Sequence, residues 1–169
     1  MTVDGPLTNT ELRASSVPVS PNFAYTRINS ATVSANPGAS YTAGDVVGGK
    51  LQLSVDGTYY AVLKSISIGI ADTFTGTLAM KVIIFEENPS STFLDDFQYS
   101  IGADAGIVCG VVSLPSTAFV TSITGGAVAS IGNIDMVVPV GTIYAVIIAE
   151  NVFDPGADKL SIRFGFETD

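Results

Sequence analysis

The sequence predicts an all-β fold, an antiparallel sandwich or barrel of about eight short strands. Three observations carry this expectation. Apolar residues recur at every second position in several runs, as at Leu51, Leu53 and Val55, which places them on one face of a strand. Clusters of Gly, Pro, Asn and Asp punctuate those runs at fairly regular spacing. No segment sustains the 3.6-residue apolar rhythm of an amphipathic helix.

Residues 1–24 mix Pro, Ser, Thr and Asn with little periodicity, and Pro18 and Pro21 bracket an extended stretch. An N-terminal arm or loosely packed extension is expected there, followed by one β-sandwich domain over 25–169. Residues 31–35 alternate and stop at Asn36-Pro37-Gly38, a strong turn signal. Residues 45–55 give the next strand, closed by Asp56-Gly57, a pair that tolerates positive φ. Within it, Gly48-Gly49 lacks the context of a phosphate-binding loop and reads as a bend or bulge. Residues 60–70 align Ile66, Ile68 and Ile70 on one face, with a turn near 72–76. The β-branched centre of 78–86 marks a central strand, ended by Glu86-Glu87-Asn88-Pro89. A polar loop with aromatic interruptions is expected over 90–106, with room for one helical turn. Strands follow at 107–114, 118–123, 133–139 and 142–149, with the Gly125-Gly126 turn and the Asp154-Pro155-Gly156 loop between and after them. Finally, 159–167 alternates cleanly, setting Leu160, Ile162, Phe164 and Phe166 against Ser161, Arg163 and Gly165.

Composition narrows the chemistry. The 169 residues carry seven Lys/Arg against sixteen Asp/Glu, a net charge of −9, and 47% are hydrophobic. That length and apolar content support a single domain with a true core. With no His, a Ser-His-Asp triad, an HExxH zinc site and an imidazole base are all ruled out. One Cys makes no internal disulfide. Cys109, among Ile107, Val108, Val111 and Val112, reads as a buried, inert thiol. Few and scattered basic residues argue against a nucleic-acid partner. No apolar run reaches the roughly 18–20 residues of a membrane span, and the N-terminus lacks the pattern of a secretory signal, so a soluble chain without a membrane partner is expected.

The acidic residues collect in turns: Glu86 and Glu87, Asp95 and Asp96, Asp104, Asp154 and Asp158. Asp154 and Asp158, four apart in a loop, are either solvated or able to hold Ca²⁺, although the ligand ladder of an EF-hand is missing. Paired carboxylates can also hydrolyse glycosides, and the absence of Trp weakens any sugar platform. The expectation is therefore a protein with no catalytic residue, no metal and no cofactor. Phe93 and Phe97, with Tyr99, stand out in an otherwise polar loop, where they either cover an open end of the sandwich or pack against a neighbouring protein.

Tyr41-Thr-Ala-Gly-Asp-Val-Val-Gly-Gly-Lys-Leu51 resembles a segment near the start of small virion structural proteins of tailed bacteriophages. Ile83-Ile-Phe-Glu-Glu-Asn-Pro-Ser-Ser91 resembles their strand ending in a Pro-Ser turn. Gly106-Ile-Val-Cys-Gly-Val-Val112 and Thr142-Ile-Tyr-Ala-Val-Ile-Ile148 follow in the same order. The resemblance covers roughly residues 30–150 and implies a jelly roll. It also implies a capsid decoration or cement protein on the outer surface of the virion, partnered by a major capsid protein. A homo-oligomer, dimer or trimer, suits symmetry-related capsid positions. Interface positions are expected at Tyr41 and Asp45 and at Phe93, Phe97 and Tyr99. The alternative is a carbohydrate- or receptor-binding module on a tail or head appendage, and a third reading is an enzyme using paired carboxylates.

Overall fold

A computed structural model describes residues 27–33, 40–71, 74–122, 125–155 and 160–168, with only the backbone of 27–33. The expected arm at 1–24, the Asn36-Pro37-Gly38 turn, Asp72 and Asp158 lie outside the described residues. Among the described residues eleven strands run β1 (Arg27–Val33), β2 (Val46–Val55), β3 (Ala61–Ile70), β4 (Thr75–Gly76), β5 (Met80–Phe85), β6 (Val108–Leu114), β7 (Phe119–Thr121), β8 (Ala127–Val138), β9 (Gly141–Ala149), β10 (Phe153–Asp154) and β11 (Leu160–Thr168). Short 3₁₀ turns occupy Gly102–Ile107 and Ser116–Ala118. Among the described residues no helix is long and apolar enough to cross a membrane.

One sheet has the order β1-β11-β3-β8-β7, the other β2-β9-β5-β6, and β10 pairs with β4 as a small ribbon. Taking only the long strands in chain order, the first pairs with the last (β1 with β11) and the second with the seventh (β2 with β9). The third pairs with the sixth (β3 with β8) and the fourth with the fifth (β5 with β6). Every pair is antiparallel. This nesting is a long hairpin rolled upon itself, the jelly roll, an architecture shared by viral capsid and lectin domains.

The core lies between the sheets and follows the period-two pattern of the strands. Leu51, Leu53 and Val55 meet Ile66, Ile68 and Ile70 there, with Leu160, Ile162, Phe164 and Phe166 of β11, all on the faces that alternation predicts. Gly48 and Gly49 have φ of +76° and +80° and fall where the β2–β9 register shifts between Val47 and Lys50, so the pair forms a bulge.

Three local readings are corrected. β8 starts at Ala127, not 133, because its inward face begins with Ala127 and Ala129, too small to register as a hydrophobic stripe. It then carries a bulge opposite Lys64, where Asn133 and Asp135 take φ of +55° and +53°. β1 precedes its expected start, since the pairing of Arg27 with Phe166 extends it toward the N-terminus. Cys109 is half-buried rather than buried. Burial, helped by the Glu86 charge, pushes its thiol up, away from the reactive thiolate.

Candidate functional site

The connection between β5 and β6, residues 86–107, does not hang from the end of the sandwich. It crosses the outer face of the four-stranded sheet as a strap and reaches the open edge of β2. That outer face is apolar at Val46, Ile83, Phe85, Val146 and Ile148, and Phe93 of the strap closes over it with only 6% of its surface exposed. The Phe93 ring lies 5.7 Å from Phe85 and 5.9 Å from Tyr99, stacked on the latter. A second small core therefore sits on the far side of the sheet from the main one.

Backbone bonds fasten the strap along the β2 edge. Val46 N–H donates to Phe97 O at 2.8 Å, Asp96 N–H to Val46 O at 2.9 Å and Tyr99 N–H to Gly44 O at 2.7 Å. The strap thus occupies groups that an edge strand would otherwise offer to another chain. Gly44 and Gly49 line this approach with φ of +98° and +80°, a conformation that favours glycine. A Cβ on Gly44 would push the tip of the Gln98 side chain at 2.7 Å, and one on Gly49 would meet the Phe93 carbonyl in ordinary contact at 3.4 Å.

Three carboxylates hold the same crossing. Asp95 Oδ1 accepts from the Tyr41 hydroxyl at 2.8 Å and from Gly48 N–H at 2.5 Å. Asp45, buried, accepts from Thr42 N–H at 2.6 Å, from the Thr42 hydroxyl at 2.8 Å and from Gln98 Nε2 at 2.6 Å. Burial pushes its carboxyl up, but the bonds from Thr42 and Gln98 outweigh that and hold it below the ordinary value. Asp104, also buried, accepts from Ser90 N–H, the Ser90 hydroxyl and Ser91 N–H, each at 2.8 Å. Hydrogen bonds from Ser91 and then Ser90 hold it well below the usual carboxylate range. Tyr99 is pushed up, by burial first and the Asp104 charge second. Lys50 Nζ completes the fastening by donating to Asn88 Oδ1 at 2.6 Å.

The five residues expected at an interface are all at this crossing, but with different environments. Tyr41 is fully buried, its ring 5.1 Å from Phe153, and its hydroxyl holds the strap. Asp45 and Phe93 likewise face inward, and Tyr99 is half-buried. Phe97 is 62% exposed and Leu94, not singled out from sequence, is 51% exposed. Asp95 and Asp104, noted from sequence only as turn carboxylates, and Gln98, not singled out, also hold this crossing. Gly44 and the Gly48-Gly49 pair were the available signal, since glycines marking a close approach imply something that approaches.

Elsewhere, Asp154 accepts from the Ser40 hydroxyl at 3.3 Å, and its expected companion Asp158 lies outside the described residues. Among the described residues no group of three or more Cys, Asp or Glu is placed to hold a metal. Three surface hollows of about 200, 250 and 260 Å³ have no carboxylate in their walls.

No family model and no curated protein matches the chain. Among solved structures it is similar to the VP2 subviral particle of infectious bursal disease virus, with 13% identity and a TM-score of 0.22 over 85% of this chain and 41% of that one. A structure of the Gx strain of the same virus gives 12% identity and a TM-score of 0.22 over 85% and 36%. The chain spans about two fifths of the chains it matches. A likeness of that size leaves the function to be argued from this chain's own residues.

Proposed function

We propose that this chain is a non-catalytic virion structural protein that binds the outer surface of a capsid and stabilises the shell, with the outward side of the strap as its contact. The observation that carries the reading is the pairing of a pinned inner side with an apolar outer one. Leu94 and Phe97 project into solvent from a loop held by its backbone bonds, by the Asp95 and Asp104 carboxylates and by the Phe93 ring. Side chains displayed on a loop already ordered lose little further freedom on docking, which suits an anchor. Two further features support it. Jelly rolls build viral shells, and the Tyr41–Leu51 segment that resembles decoration proteins of tailed phages is the seat on which the strap rests. Occupied sites then favour the assembled shell over free subunits by binding linkage.

Immunogold labelling of particles of the source virus, together with co-sedimentation of the purified chain with its shells, tests this. Regular labelling over the head and binding lost in Phe97→Ala are expected. A chain absent from virions, or one whose Phe97→Ala and Leu94→Ala variants both bind shells normally, refutes the proposal.

A second reading has an observation of its own. Tyr59 and Tyr60, 81% and 52% exposed, stand side by side in the β2–β3 turn, where aromatic rings can stack on sugars. Saturable glycan binding abolished by Tyr59→Ala would favour a carbohydrate- or receptor-binding module.

A further inference from the structure

The two sheets differ in what covers them. The strap lies over the outer face of the four-stranded sheet, while no described residue crosses the outer face of the five-stranded one. The central side chains of that second face are small, and a shallow hollow of about 260 Å³ lies among them. Ser67, Gly69, Ser130 and Ser161 occupy its centre, and Val120 and Val128, cross-strand partners 70% and 52% exposed, form its β7–β8 margin. The solvated face of an antiparallel sheet ordinarily carries polar and charged side chains. Here the described charged residues on β3, β8 and β11 are Lys64, Arg163, Asp135 and Glu167, two of each sign. Lys64 is already paired with Asp135 and lies 3.6 Å from Glu167.

We propose that this face packs against the same face of a second copy of the chain, forming a two-fold dimer that leaves both straps outward. Charge and area select that occupant. A chain of net charge −9 repels its own copy over most of its surface, and this face is a broad region where the described charges sum to zero. Four strands about 4.8 Å apart and about nine residues long at ~3.3 Å each present roughly 600 Å². Two copies would bury about 1,200 Å², the lower end of stable interfaces. Serine and glycine at the centre let two sheets approach to the ~10 Å of an ordinary sandwich. The hydroxyls at the centre already serve one another: the Ser67 and Ser130 Oγ atoms are 2.8 Å apart, and Ser161 donates to Gly69 O at 3.3 Å, so packing strands none of them.

Sedimentation velocity of the full chain over about 1 to 200 µM tests the proposal. The wild type is expected to show a concentration-dependent monomer–dimer equilibrium. Ser130→Arg and, independently, Ser161→Arg, should each weaken it at least tenfold while circular dichroism, and the melting temperature measured at concentrations where the wild type is monomeric, stay unchanged. Leu94→Asp, on the opposite side of the molecule, should leave it intact. A wild type that is monomeric throughout overturns the proposal. So does a trimer or larger species, or a dimer that survives both arginine variants or is lost in Leu94→Asp.

Discussion

Replacing Phe93 with Ala tests whether the strap is part of the folded unit or an ornament on it. The ring is 6% exposed among Val46, Phe85, Val146 and Ile148. Returning a buried phenyl group to water costs about 2–3 kcal/mol. The contacts with Phe85 at 5.7 Å and Tyr99 at 5.9 Å each add roughly 0.5 kcal/mol or more beyond area. The sum, about 3–4 kcal/mol, agrees with the ~3–5 kcal/mol typical of Phe→Ala in cores. Urea unfolding followed by circular dichroism is the assay. With a slope near ~2 kcal/mol/M, the midpoint should fall by about 1.5–2 M, and the melting temperature by roughly 10 °C. Chymotrypsin should then cut the strap at Phe97 or Tyr99 well before the rest of the chain. A loss under about 1 kcal/mol with the strap still resistant would refute the packing argument. The second core would then contribute little, and the backbone bonds to Val46 and Gly44 alone would hold the crossing.

Other outcomes follow from the same geometry. Tyr41→Phe keeps the stack on Phe153 but removes the hydroxyl from Asp95, so a loss of about 1–2 kcal/mol is expected in the same assay, against several times less for Thr92→Ala on the exposed side of the strap. Asp45 and Asp104 are both held below their unfolded values; the stability they contribute is present above about pH 4 and is lost as pH falls through their folded values. Urea midpoints measured from pH 7 to pH 2.5 should therefore drop below about pH 4, and less steeply in Asp45→Asn and Asp104→Asn. Gly76 has φ +95° and its added Cβ would run into the Val152 carbonyl, so Gly76→Ala should cost roughly 2 kcal/mol or more in thermal melts, whereas Gly141→Ala, with φ +102° but open space around it, should cost only the conformational part.

Strand identity was largely legible because the sheets are buried on one face and alternation writes that burial into the sequence. Leu51, Leu53 and Val55, or Leu160 through Phe166, announce their faces without help. β8 was shortened because small residues carry no such signal: Ala127 and Ala129 are as buried as leucines but too small to look so. The jelly-roll pairing cannot be read from periodicity at all, since alternation gives a face and not a partner; only the resemblance pointed to it. For the strap, sequence located the segment, its aromatics and its glycine seat. It could not give the direction in which each side chain faces, because a loop has no period. Phe93 and Phe97, four residues apart and chemically alike, consequently fall on opposite sides of one backbone.

The nesting of the strands also governs the order in which the molecule can be made. β1 pairs only with β11 in its sheet, and Arg27 meets Phe166 across almost the whole length of the sequence. A nascent chain on the ribosome can close β5 on β6 early. It leaves β1 and one side of β3 without hydrogen-bond partners until Leu160–Thr168 has emerged. During that interval an apolar half-sheet is open to pairing with other chains. Synthesis speed and crowding, more than final stability, should decide how much of this protein reaches its folded form.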